Sequence, residues 1–458
     1  MSTTHDSLEQ AQPASVPPTV SASGASRKTT PYYRFKPWNI GRYLIWSLFA
    51  VVLIISPLVF KSSLALTMLS QMGYLIIICL SYNILLGQGG MLSFGHAVYV
   101  GLGSFLAIHA MNMGGKGGLQ IPLVLIPLVG GLAGMFFAVI FGFVTTKKSG
   151  TTFAMITMGI GELVASMALM FPSFFGGEGG ITTDRVYGPT FFGFNFGPQI
   201  QVYYLIAAYC FVCTGLMYAF TGTPLGRMLN AVRDNPERVE FIGYNTQRVR
   251  YIAFIIAGFF AGIGGGLASI NFEIVNAADS LSAIRSGGYL LFTFLGGAVF
   301  FFGPIIGAVL LVFASILLSE LSKAWQLYFG LVFVFMVMFA PGGIASLVMM
   351  NLRVAKFGKF NRFWLLYVAL AVALVPVVVG AAALIEMIYH IQLNAAMGPN
   401  LNFFGVTLDT SGTASWLIAA AILAVGLGAL EVARRRFVRV WGRAQEEIEV
   451  EIKRREAA

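Results

Sequence analysis

NILLGQGGMLSFGH, residues 83–96, interrupts an apolar stretch that enters from Leu64 and leaves through Phe105. Gly87, Gly89 and Gly90, together with Gln88, Ser93 and His96, stand where a bilayer-crossing helix would carry aliphatic side chains. Glycine inside a helix costs about 1 kcal/mol against alanine. At bilayer depth a backbone group without a partner is far more costly, so such a break survives only inside a bundle or beside water. Two readings stay open. In the first, the break bares the N–H groups of a helix N-terminus at a water-lined cavity, where they attract an anionic group. Gln88, Gly89, Gly90, Ser93 and His96 would then line a path. In the second, the glycines let helices pack closely. Packing accounts for the glycines but not for Gln88 with His96, which favours the cavity.

The surrounding chain sets the scale. Of 458 residues, 57% are hydrophobic and 10% charged, against about 25% charged in soluble domains. Apolar runs of membrane-crossing length recur from Tyr43 to Leu430. Candidate spans are 43–60, 64–86, 91–112, 121–145, 151–171, 202–221, 251–271, 286–301, 303–320, 325–348, 363–389 and 414–432. The runs are continuous rather than alternating, which excludes a β-barrel. The expected fold is an all-α polytopic membrane protein. It has about ten core segments, with glycine-broken or re-entrant helices, and two extra C-terminal segments.

The net charge of +10 does not call for nucleic acid. Lys147 and Lys148, the arginines of 227–250, the basic residues of 353–362 and the Arg434–Arg436 cluster all fall on one side if both termini are cytoplasmic. That bookkeeping needs two segments between 286 and 320. The last cluster suits anionic lipid head groups. The expected division is a disordered N-terminal tail (1–42), a transmembrane domain (43–348) with a cytoplasmic loop at 222–250, a basic linker (349–362), an extra hairpin (363–432) and a charged tail (433–458).

Enzymatic signatures do not appear. GGKGG at 114–118 lacks the spacing and hydroxyl of a P-loop, so the chain is not expected to hydrolyse ATP. No HExxH occurs, the four histidines are scattered, and no metal or other cofactor is expected. Cys210 and Cys213 have CxxC spacing without a thioredoxin-like context, so they and Cys79 read as buried thiols. In the 222–250 loop, Asn235-Pro236 suits a helix start and Gly243 a C-terminal cap. Glu162 is the acid well inside a core span, where facing lipid would cost about 2.5–3.5 kcal/mol. It either lines a path near Thr157 or is a carboxyl group bonded to a neighbour.

Five stretches in order resemble the permease subunits of ABC importers for branched-chain amino acids, the LivM type above all. They are GQGGMLSFGHAVYVGLGSFLA (87–107), TTFAMITMGIGEL with FGGEGGI (151–181), GRMLNAVRDNPERVEFIGYN (226–245), LGGAVFFFGPIIGAVL (295–310) and FAPGGI (339–344). The resemblance covers about 43–348; 1–36 and 352–458 lie outside it. It implies a paralogous permease as heterodimer partner, two cytoplasmic ATPase subunits, a periplasmic binding protein and a bacterial inner-membrane location. It implies that the 226–245 stretch couples to the ATPase, through Gly226, Arg233, Glu237 and Gly243. Glu237 stands six residues before Gly243, as in importer permeases, but Arg238 and Val239 replace the two alanines that usually follow. Urea and short amides are carried by close relatives, so the solute stays open. Two other classes remain. An ion-gradient-driven secondary transporter would need more intramembrane acids or a histidine relay. A non-transporting scaffold would use the C-terminal extension.

Overall fold

The computed structural model describes residues 40–115, 120–187, 193, 195–340, 342–358, 362–393, 398–403 and 406–457. Most of the expected N-terminal tail lies outside them. Packing separates residues 1–48, of which the start of α1 is described, from residues 49–458, which hold all that follows.

The chain is a series of helices with short connections. α1 is Ile40–Val59. α2 is Ser63–Asn83, begun by the Ser62 hydroxyl accepting from Ala65 N, and it runs on through one wide π-turn, Ile84–Gln88. Residues 91–95 are not helical, so the segment expected at 91–112 begins only at His96, as α3 (His96–Gly115). α4 is Ile126–Thr145, with Pro127 in its first turn, and α5 is Gly150–Met170. After the short α6 (Pro172–Phe175), β1 (Ile181–Thr182) leads to α7 (Gln199–Gly222). Two short helices follow, α8 (Pro224–Asp234) and α9 (Pro236–Phe241). α10 (Thr246–Phe272) ends at β2 (Ile274–Val275), which pairs antiparallel with β1, and at α11 (Ala277–Ser280).

α12 (Ala283–Gly296) and α13 (Gly303–Phe313), in the region expected to hold the segments 286–301 and 303–320, are two helices joined at Gly297–Phe302, each shorter than a membrane-crossing helix. α14 (Ser319–Leu321) is short. The span expected at 325–348 is instead two helices, α15 (Trp325–Phe339) and α16 (Gly343–Lys356), bent by 48°. The expected basic linker therefore begins inside α16. α17 (Trp364–Leu393) and α18 (Thr413–Ala457) form a helical hairpin, closed by the strands β3 (Asn400–Phe403) and β4 (Val406–Asp409). Among the described residues, eight helices are long and apolar enough to cross a membrane. The protein is an all-α, multi-pass membrane protein.

The centre is α2, α3, α4 and α10. Lipid offers no hydrophobic drive for helix pairing, so close van der Waals fit does the work. A Cβ on Gly262 would lie 2.2 Å from the Gly130 carbonyl oxygen, and one on Gly134 2.3 Å from that of Gly258. The outer hairpin repeats the device: Gly380 abuts Leu423 and Gly426 abuts Val377. It is tied to the core by Glu386 of α17, whose carboxylate accepts from Ser322 Oγ and, at 2.9 Å, from Tyr328 Oη.

Candidate functional site

The break begins where α2 widens. Gly87 lies in the π-turn, and a Cβ there would stand 2.1 Å from Ala298 O and 2.4 Å from Asn83 Nδ2. Asn83 Nδ2 in turn donates to Ala298 O at 2.7 Å, so the early glycine stretch and the late one meet directly. Gly343 of the third glycine stretch closes on Gly297 from the other side; both have positive φ. α2 ends at Gly90, whose φ of 63° is the left-handed cap glycine adopts without strain. Met91 N donates to Leu85 O at 2.9 Å and Gly90 N to Leu86 O at 3.0 Å, each one residue longer than the usual cap because of the π-turn.

That leaves the carbonyl of Gly87 without a backbone donor. Arg233 of α8 supplies one through Nη1. Beside it Asn230 Nδ2 donates to Gln88 Oε1 at 2.8 Å, Leu229 packs on Gly89, and the Arg233 stem covers Gly90. Gln88, Gly89 and Gly90, expected along a path, are thus seated on α8. The charged head at a helix C-terminus is favourable in its own right. α8 itself starts at Pro224, with the Thr223 hydroxyl accepting from Gly226 N. A side chain on Gly226 would meet Phe220 O at 2.3 Å, so this glycine sets the α7–α8 corner.

The second half of the break is sealed by side chains from elsewhere. Tyr82 Oη donates to Ser93 O at 2.7 Å and accepts from Ser93 N at 3.2 Å. Phe94 N donates to Thr157 Oγ1 at 3.1 Å, and Ala97 N to Ser286 Oγ at 2.9 Å. Ser81 spends its hydroxyl proton on Ile78 O at 2.7 Å, so His96 Nε2–H donates to its oxygen at 2.9 Å. The N–H groups expected to be open to an anion are therefore occupied by Tyr82, Thr157 and Ser286. The physical reason is the one that made the break improbable: at this depth each donor needs a partner. Ser93 Oγ and His96 Nδ1 remain buried without one. Ser286 carried no sequence signal, being one serine in an ordinary helix.

Glu162 and Thr157 are not brought together. Thr157 lies on the buried face of α5, whereas Glu162 shares an uncovered face with Thr151, Met155, Met158 and Ser166. On the loop, Asn235 Oδ1 accepts from Arg238 N at 3.0 Å and Gly243 has φ of 89°, the cap geometry anticipated there. Glu237 is exposed on α9. Phe241, Ile242 and Tyr244 are 87%, 67% and 52% exposed beside it. This apolar ridge was not anticipated, although the letters EFIGY carry it. All three cysteines are buried and free. Among the described residues no cluster is placed to hold a metal ion.

The family model described as "Branched-chain amino acid transport system / permease component" matches residues 64–341, more than half of the chain. The high-affinity branched-chain amino acid transport system permease protein LivM of Salmonella typhimurium is 27% identical over 301 residues, 61% of this chain and 69% of that protein. LivM of Escherichia coli is 26% identical over 299 residues, with the same shares. The guanosine ABC transporter permease protein NupQ of Bacillus subtilis is 30% identical over 131 residues, 25% of this chain and 40% of that protein. No solved structure matches. The match runs from α2 to the end of α15 and so takes in the break, α8, α9 and the glycine stretch at 295–310, while Gly342 and Gly343 lie just beyond it. This chain belongs to the family of branched-chain amino acid transport permease components, and it is a permease subunit of an ATP-binding-cassette importer rather than an enzyme.

Proposed function

We propose that the chain forms one half of the path by which branched-chain amino acids cross a bacterial inner membrane. A periplasmic binding protein delivers the solute, a paralogous permease supplies the other half, and two cytoplasmic ATPase subunits drive the cycle. The observation that carries the reading is the connection from α9 to α2. Phe241, Ile242 and Tyr244 offer an apolar ridge beside Glu237, the kind of surface that a partner covers. α9 follows α8 after the single extended residue Asn235, and α8 holds the end of α2 through Arg233–Gly87 and Asn230–Gln88. A push on the ridge reaches the bundle through two hydrogen bonds and no flexible linker. In this reading Gly226, Arg233, Glu237 and Gly243 serve coupling, and both termini are cytoplasmic.

The uncovered face of α5 supports the partner permease. A carboxylate in mid-span on a face bare of protein demands either a neighbouring chain or water. Glu162 therefore faces the second permease or the path between them. The hairpin α17–α18 lies outside the matched residues and is a peripheral addition.

The test is uptake of labelled L-leucine by proteoliposomes holding the whole transporter. ATP-dependent uptake, and stoichiometric co-purification of a nucleotide-binding subunit, support the reading. Uptake without ATP that collapses with an ionophore would make the chain a secondary transporter. Neither uptake nor an ATPase partner would leave a scaffold. Glu237→Lys and Phe241→Asp should keep the chain in the membrane and release the ATPase.

A further inference from the structure

At the end of the bundle away from α8 and α9, a cavity of about 220 Å³ opens between α2, α3, α10, α11 and α12. That is the liquid volume of about seven waters, room for a free amino acid and little more. It is separate from the glycine break. Its wall holds Tyr74, Tyr289, Ser104, Asn276, Asp279 and Arg285. A polar cavity of this composition is unusual in a bundle otherwise lined by aliphatic and glycine faces.

The polar groups are incompletely used. Tyr74 and Tyr289 are 7% and 4% exposed and line the cavity, and their hydroxyls, which among the described residues make no hydrogen bond, are not sealed from it. Buried tyrosine hydroxyls ordinarily make such a bond. Arg285 gives one nitrogen, Nη2, to Asp279 Oδ2, which leaves its other donors and the Asp279 Oδ1 oxygen over. Ser282 and Asn276 are engaged locally, accepting from Arg285 N and Asp279 N, and so fix the two charged residues at helix starts. The mouth of the cavity thus joins a cation and an anion, their side chains 43% and 60% exposed, to two hydroxyls on its inner wall.

We infer that this cleft is a binding subsite for a zwitterionic α-amino acid. Arg285 and the tyrosine hydroxyls take its carboxylate, and Asp279 takes its ammonium group. The guanidinium fork matches a carboxylate in a way that lysine does not. A solute bearing both charges can bridge the pair, because each member keeps free valences. A singly charged solute would leave one member of the pair competing with it. The inference rests on the transport function proposed above and places a waypoint at the face where a delivered solute would enter.

The experiment is chemical labelling of the assembled transporter in nanodiscs, without binding protein. Ser280→Cys places a thiol on the cleft wall, while the three native cysteines are buried. Millimolar L-leucine should slow its reaction with a small polar thiosulfonate, and N-acetyl-L-leucine amide, which lacks both charges, should not. Arg285→Gln should weaken that protection by about tenfold or more, the least expected from losing a charge-assisted hydrogen bond. Tyr289→Phe removes a single hydroxyl and tests the site if Arg285→Gln fails to assemble. Equal labelling with and without L-leucine, in a preparation that transports leucine, overturns the inference and leaves the transport function standing. Protection in a preparation that does not transport leucine would uphold the cleft and overturn that function.

Discussion

Replacing Arg233 by methionine keeps the stem that covers Gly90 and removes the head that caps α2. A hydrogen bond from a charged donor contributes about 1.5–3 kcal/mol. The Arg233 side chain is 33% exposed, which points to the lower end, about 1.5 kcal/mol. A cation at a helix C-terminus adds about 0.3–1 kcal/mol. The pair with Asp234 is on the surface and is worth little. The sum is about 2 kcal/mol, a factor of about 30 in an equilibrium constant. If the contact persists through the cycle, the loss appears as lower thermal stability. If it is made in one access state and broken in the other, the loss shifts the balance between states, and leucine moved per ATP falls by about tenfold or more. Proteoliposome uptake and phosphate release on the same preparation give that ratio. Arg233→Lys should be intermediate, since it keeps charge without the fork. Wild-type stoichiometry in Arg233→Met, and again with Gln88→Leu added, would refute the claim that α8 drives α2.

Gly265→Ala should prevent accumulation of the chain, since its Cβ would lie 2.0 Å from Val100 O; Gly159→Ala, with nothing within 4 Å, should accumulate normally on a membrane immunoblot. Thr157→Val strands the half-buried Phe94 N–H and should lower stability by about 1 kcal/mol, read as earlier heat aggregation of the detergent-solubilised complex. Glu162→Leu should leave insertion unchanged and depress leucine uptake; normal uptake would place the α5 face against lipid instead. Phe241→Ser should weaken retention of the ATPase on affinity resin while melting of the permease stays the same.

Apolar run length alone marked nearly every helix, because bilayer thickness dictates it. The caps on the loop were legible too, since Asn235, Pro236 and Gly243 act on neighbours within a few residues. What escaped lies at long range. Gln88 and Asn230 are 142 residues apart, and Ala97 and Ser286 are 189 apart. Nothing local in Gln88 says whether its amide meets a solute or a neighbouring helix. The break was visible as a break, but its level in the bundle depended on α8, whose amphipathic turn passed for loop. The α15–α16 bend was hidden for a different reason: hydrophobicity continues across Pro341, so composition saw one span.

Glycine rows also govern how a bundle may move. On α4 the small residues recur every turn at 130, 134, 138 and 142, and on α10 at 258, 262 and 266. A fractional slide of α10 along α4 drives backbone into backbone. A whole-turn slide, about 5.4 Å, would lay glycine on glycine again, but Phe254 and Ile270 bracket the row on α10. In one direction Phe254, now facing Gly142, arrives at Ala138. In the other Ile270 arrives at Pro127, where Gly266 now sits with room for no side chain. The seam has a single permitted register and serves as a fixed wall. Alternation between inward and outward access must then hinge on the elements around that wall, α5 and the α12–α13 pair, while the wall supplies the frame against which they turn.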